Sequence, residues 1–279
     1  MQSLTVFGSV VVVCLVACAS APAQGTVREI LKEHADADQA WLAEYRDADE
    51  DDRAELRQKR PWPSKWFDRL MQAIEKDPGS DAALQAATWI LTKRAASGRK
   101  LDPVIAVLHE NHLASPDLDG VIRSLSRVPT KASMELLRSL EAESPHDEVR
   151  AMACFYQAVA TKRLAAMVRR GKSDPEVMES FVRPYGRETV DWLESQDPAG
   201  LEAEAEALYA KVQQTPAYAD VPYGRSTLKD AAKGDLHELR HLSIGKVAPE
   251  IEGEDLDGVA FKLSDYRGKV VVLDFWGDW

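Results

Sequence analysis

Few residues in this sequence are spaced for chemistry, and the histidines come first. His237-Glu238-Leu239-Arg240-His241 reads H-E-x-x-H. On a helix the two imidazoles would share one face, where they could hold zinc with Glu238 as the general base of a hydrolase. Such an enzyme needs a third ligand downstream, and no histidine follows His241. The five residues are therefore read as ordinary helix positions, and no metal site is expected. His109 and His112 could clip a metal weakly, but a surface or core pair is the simpler reading. Asp47, Asp49, Glu50, Asp51 and Asp52 form an acidic run without the alternating ligands and turn glycine of a calcium loop, so they read as a solvated face or loop. The cysteines are Cys14, Cys18 and Cys154. The first two lie in an N-terminal apolar stretch, which leaves Cys154 alone in a processed chain with no disulfide partner. It shares a helical stripe with Val149, Met152, Ala153 and Tyr156, the setting of a core residue rather than a nucleophile. No catalytic residue is assigned. No phosphate-binding glycine loop, dinucleotide fingerprint or nucleophile elbow occurs, and no cofactor is expected.

The elements that must position these residues are mostly helices. Residues 1–23 read as a secretory signal: Val10 to Val16 form a short apolar core, and Ala21-Pro22-Ala23 is a small-x-small cleavage site ahead of Gln24. The n-region carries no Lys or Arg. The alternative is a lipobox, Leu15-Val16-Ala17-Cys18, with Cys18 lipidated; only then is a membrane a partner. Either route predicts export to the periplasm or cell envelope. A formal charge of −11 and a pI near 5.1 argue against nucleic acid and anionic membrane surfaces.

Residues 24–243 are predicted to be a helical domain. Thr26 and Glu29 form an expected capping box. A small polar residue followed by Pro recurs at Asp77-Pro78, Asp102-Pro103, Ser115-Pro116, Ser144-Pro145, Asp174-Pro175 and Asp197-Pro198, each read as a helix start. Between them run stripes such as Phe67, Leu70, Met71, Ile74 and Leu118, Val121, Ile122, Leu125. Helical hairpins stacked in a repeat-like, irregular series fit this pattern, and they suggest a protein partner for the domain. Leu201 to Val212, rich in Ala and Glu, reads as an exposed helix. Ser226 to Leu242 reads as a last helix with Leu228, Ala232, Leu236 and Leu239 inward.

Beyond Ile244 the pattern changes. Asp257-Gly258 sits between two extended stretches and reads as a tight hairpin turn. Gly268-Lys269 turns into Val270 to Phe275, an apolar β-branched run suited to a strand buried on both faces. Gly245, Ala248-Pro249, Asp257-Gly258, Leu263-Ser264-Asp265, Gly268-Lys269 and Phe275-Trp276 together resemble the opening of an extracytoplasmic thioredoxin-like domain, of the TlpA/ResA type within the redoxin (AhpC/TSA) superfamily. The resemblance implies a mainly α protein carrying the first strands of an α/β thioredoxin-like domain over residues 244–279.

It also implies a thiol–disulfide oxidoreductase acting on protein thiols and disulfides. The nucleophilic Cys would follow Trp279 at a helix N-terminus, whose partial positive charge stabilises a thiolate. In that family Asp274 would be placed to serve proton transfer. A peroxiredoxin-type antioxidant protein is the sister expectation. A non-enzymatic helical interaction protein with a vestigial redoxin tail is the alternative from another class. The redox-active cysteines are absent from residues 1–279, so this chain is expected to be inactive as it stands. A selenocysteine codon after Trp279 is one expectation for the break there, with a contig end, a frameshift or a nonsense mutation as the others.

Overall fold

The computed structural model describes residues 21–277, which are mainly helical with two small two-stranded sheets. The chain starts with α1 (Ala21–Asp47), a long helix that buries Val27, Ile30 and His34 along one side. Thr26 therefore lies in its second turn, inside α1 and not at a helix N-cap as expected. The acidic run makes the reversal into α2 (Glu50–Lys59): the Asp49 side chain accepts from the Asp52 N–H at 3.0 Å. Glu50, Asp51 and Asp52 occupy the first turn, where the positive end of the helix dipole favours them.

A 3₁₀ turn, Pro63–Trp66, leads into α3 (Phe67–Lys76), whose predicted stripe Phe67, Leu70, Met71 and Ile74 is buried. Then come α4 (Asp81–Thr92), capped by the Ser80 hydroxyl, α5 (Asp102–Asn111), α6 (Asp119–Leu125) and α7 (Lys131–Glu143), capped by Thr130. The organising element is α8 (Asp147–Ser173). α6, α7 and the later helices α9 (Pro175–Tyr185), α10 (Arg187–Glu194), α11 (Pro198–Gln214), α12 (Pro216–Ala219) and α13 (Leu228–His237) all pack against it. Small residues make this possible. Ala151, Ala153, Ala158, Ala160 and Ala165 are buried along α8 and let neighbours approach closely. A larger side chain there, such as Ala158→Leu, would overpack the core at a cost of about 1–3 kcal/mol.

Only two of the six polar-Pro pairs open helices as expected. Asp174 and Asp197 cap α9 and α11, with their carboxylates accepting from Glu176 N and from Ala199 N and Gly200 N. Asp102 falls one residue inside α5, with Leu101 at the cap. The other three make turns. Ser115 Oγ accepts from Asp117 N, and Ser144 Oγ from His146 N, each two residues on, so these hydroxyls close local turns ahead of the helices. Asp77 ends α3, and its carbonyl accepts from Ser80 N at 3.2 Å.

α11 corrects a second expectation. It is a core helix: Leu201, Ala205, Tyr209 and Val212 are buried against α8, while Glu202, Glu204 and Glu206 reach basic partners at the rim. After α12 a short hairpin, β1 (Pro222–Tyr223) and β2 (Ser226–Thr227), delivers the chain to α13, which a π-helical turn, Glu238–Leu242, extends. Leu228, Ala232, Leu236 and Leu239 point inward as expected. No helix among the described residues is long and apolar enough to cross a membrane. The expected cleavage position, Ala23–Gln24, lies in the first turn of α1, whereas Cys14, Cys18 and Trp279 lie outside the described residues.

Candidate functional site

The H-E-x-x-H residues sit at the end of α13 and in the π-helical turn. His237 and His241 are exposed, with ring centroids 4.8 Å apart. Glu238, the would-be base, instead accepts from Lys162 Nζ at 3.1 Å, and Asp235 accepts from the same ammonium at 2.9 Å. Burial alone would depress the Lys162 pKa; the hydrogen bonds it donates to the two carboxylates outweigh that and hold the pKa above the ordinary lysine value. Arg240 Nε donates to Glu206 of α11 at 2.8 Å. The motif thus ties α13 to α8 and α11, and no cluster of three metal-ligating side chains occurs among the described residues.

His109 and His112 separate in the same way. His109 Nε2 shares a hydrogen bond with Ser139 Oγ at 2.9 Å, while buried His112 donates to the Pro78 carbonyl at 2.7 Å. Cys154 is fully buried, with Sγ 3.8 Å from the Leu208 carbonyl. Burial first, and then the nearby Glu141 carboxylate, push its pKa far above the usual thiol value, which suppresses the thiolate.

The residues singled out beyond Ile244 are brought together by backbone turns. β3 (Glu252–Glu254) pairs antiparallel with β4 (Ala260–Lys262), in the register Glu252↔Lys262, Gly253↔Phe261 and Glu254↔Ala260. Asp257 and Gly258 lie in the connecting loop as expected, but the residue that organises it is Asp255. Its Oδ1 accepts from Asp257 N at 3.0 Å and Val259 N at 2.9 Å, and its carbonyl accepts from Gly258 N. Gly258 adopts φ +78°, a left-handed conformation that L side chains rarely take. Asp255 was legible as a turn-former, because an Asx side chain bonds the backbone two residues on.

Ahead of the hairpin, Gly245 lies in the turn that closes with Lys246 N donating to the Ser243 carbonyl, and Pro249 precedes β3. After the hairpin, Leu263-Ser264-Asp265 belongs to a 3₁₀ turn, Leu263–Tyr266, in which Asp265 Oδ2 accepts from Lys262 N at 2.9 Å. Ser264 N donates to Glu250 at 2.9 Å, and the Ser264 hydrogen bonds hold the Glu250 carboxyl below the usual carboxylate range. Gly268-Lys269 turns the chain, with Lys269 N donating to the Tyr266 carbonyl.

The buried strand expected from Val270 to Phe275 is not formed. This stretch is irregular and exposed, with Val270 at 97 %, Phe275 at 81 % and Trp276 at 84 %, and Asp274 also faces solvent. A strand is defined by hydrogen bonds to a neighbour, and none of the described strands lies beside this run.

Comparison with known proteins finds a partial likeness for this chain. The likeness is to thiol-disulfide oxidoreductases. The chain is 47 % identical over 42 residues to thiol-disulfide oxidoreductase ResA of Geobacillus thermodenitrificans, a stretch covering 15 % of this chain and 24 % of that protein. It is 50 % identical over 42 residues to ResA of Geobacillus kaustophilus, with the same coverage. Against ResA of Bacillus cereus it is 47 % identical over 47 residues, 17 % of this chain and 27 % of the relative. The chain thus spans about a quarter of the length of the curated relatives it matches. No family model matches it, and no solved structure does.

Proposed function

We propose that this chain is an exported protein in which a helical domain, residues 24–243, carries the opening segment of a thioredoxin-like thiol-disulfide oxidoreductase domain from residue 244 onward. The observation that carries this reading is the run of turns at Gly245, Asp257-Gly258 and Gly268-Lys269 around the β3–β4 hairpin, taken with the local identity to ResA. Export to the periplasm or cell envelope rests on the apolar stretch ending at Ala23 and agrees with disulfide chemistry, which belongs to oxidising compartments. The substrates proposed are protein thiols and disulfides, for any form of the protein that carries a cysteine pair of this type.

This chain contains no Cys-x-x-Cys pair within residues 1–279. Its one thiol among the described residues, Cys154, is buried and held protonated. That burial favours a second reading for this chain, a non-enzymatic interaction module built on the helices.

A chimera tests the first reading. Residues 244–279 replace the matching stretch of Bacillus cereus ResA, and insulin reduction is followed by turbidity. A folded, active chimera is expected, with the unmodified chain silent. A chimera that cannot fold, or that folds and reduces nothing, overturns the assignment of this segment.

A further inference from the structure

Two clefts adjoin on the face made by the end of α4, the loop between α6 and α7, and α8. The larger, of roughly 300 Å³, is lined by Arg94, Ser97, Ser124, Arg127, Val128 and Tyr185, among others. The smaller, of roughly 170 Å³, is lined by Arg127, Val128, Met134, Arg163, Leu164 and Met167, among others. Arg127 and Val128 belong to both, so the two form one trough. Its lining contains three guanidinium groups and no Asp or Glu, in a chain of formal charge −11. Arg123, Arg169, Arg187 and Arg240 each meet a carboxylate elsewhere on the surface; Arg94, Arg127 and Arg163 meet none among the described residues.

Arg94 adds an independent observation. At φ +54° it is the one non-glycine residue with positive φ among the described residues. It occupies the position just past the α4 C-cap, where Ala95 N donates to the Ile90 carbonyl at 3.0 Å and Arg94 N to the Leu91 carbonyl at 3.3 Å. These two bonds make a Schellman motif, whose left-handed residue is usually glycine. Nothing in the backbone calls for arginine there. What the residue adds is a guanidinium on the wall of the trough. The same wall depends on Gly98, because a Cβ at that position would lie 1.8 Å from the Pro184 carbonyl oxygen, next to Tyr185.

We propose that this trough docks an extended segment of a partner protein that alternates acidic and apolar side chains. The carboxylates meet Arg94, Arg127 and Arg163, and the apolar side chains rest on the half-buried Val128 and Met167, where methionine adapts to varied shapes. Charge complementarity selects the occupant: unpaired guanidiniums recognise carboxylates, and the surrounding negative charge of the chain rejects polyanions such as nucleic acid. An open trough of two joined clefts suits a strand-like segment better than a small ligand, which is ordinarily enclosed over most of its surface. This inference does not depend on the redoxin-type reading.

Fluorescence anisotropy on the full chain tests it, with a fluorescein-labelled peptide of alternating Glu and Leu as probe and a Lys/Leu peptide as counterpart. The Glu/Leu peptide should bind, more weakly as salt is raised, and the Lys/Leu peptide should not. Arg127→Glu should weaken binding by about tenfold or more. Arg94→Gly should weaken it by about threefold while the thermal midpoint stays level or rises, which separates recognition from folding. Arg170→Glu, on α8 but outside both clefts, should leave it within error of the parent chain. Absence of binding, equal losses in Arg170→Glu and Arg127→Glu, full affinity in Arg94→Gly, or displacement of the peptide by citrate at equal concentration would each overturn the proposal, the last by showing a small-anion site.

Discussion

Replacing Arg94 by glycine should stabilise the protein, and the sign follows from competing terms of known size. Holding an L residue in the left-handed region costs about 1–2 kcal/mol that glycine avoids. Against that gain, glycine widens the unfolded ensemble, which costs about 0.4–1 kcal/mol. No ion pair is lost, because Arg94 has no carboxylate partner among the described residues, and the two Schellman hydrogen bonds are made by backbone atoms that the substitution keeps. The balance is a gain of about 0.5–1 kcal/mol, or about 1–4 °C in thermal midpoint for a chain of this size. Urea denaturation followed by circular dichroism measures it, with the midpoint shifting at constant slope. Arg94→Ala is the control, since it keeps a Cβ at φ +54° and should gain little. A loss of stability in both variants would show that the guanidinium holds the fold together, and the case for Arg94 as a recognition residue would fall with it.

Three further outcomes are expected. Thr161 is fully buried on α8 and its hydroxyl has no hydrogen-bond partner among the described residues, so Thr161→Val should raise stability by about 1 kcal/mol; a clear loss in urea denaturation would mean the hydroxyl is satisfied. His34 is buried edge-on between Trp66 and Trp89, and desolvation lowers its pKa below the ordinary value near 6.5. The unfolded chain therefore binds more protons as pH falls through that value, so stability should decline below about pH 6.5; His34→Phe should remove that part of the pH dependence, and an unchanged profile would contradict it. In hydrogen exchange, amides of residues 270–277 should exchange at near-intrinsic rates while the centre of α8 is strongly protected; protection across 270–277 in the monomer would show a packed strand.

The helices were legible because their signals are local and redundant. Phe67, Leu70, Met71 and Ile74 repeat at helical spacing, and every one is buried. Where one residue type serves two local structures, the reading failed. A polar side chain before Pro bonds an N–H two or three residues on, whether that amide opens a helix, as at Asp197, or closes a turn, as at Ser115. α11 was misjudged for another reason. Leu201, Ala205, Tyr209 and Val212 form a complete stripe, but the interleaved glutamates suggested a solvated surface. In the fold those glutamates pair with Arg169, Arg138 and Arg240 from neighbouring elements, so they edge the interface that the apolar stripe fills.

The same distinction between local and relational information separates the two halves of the candidate site. The loop at Asp257-Gly258 is closed by atoms within five residues of one another, so the hairpin could be inferred from sequence and is present. The run Val270 to Phe275 carries an equally clear composition, but burial on both faces is a statement about neighbours, and no strand among the described residues flanks it. Composition therefore reports what the run requires, namely strand partners on either side and covering helices, and not a structure it holds by itself. That requirement makes the segment informative about function even though it contains no thiol. A β-branched run of this kind, exposed, is an aggregation hazard unless something pairs with it. The proposed thioredoxin-like sheet is one arrangement that supplies both neighbours, and in the ResA chimera the run should pass from exposed coil to protected strand.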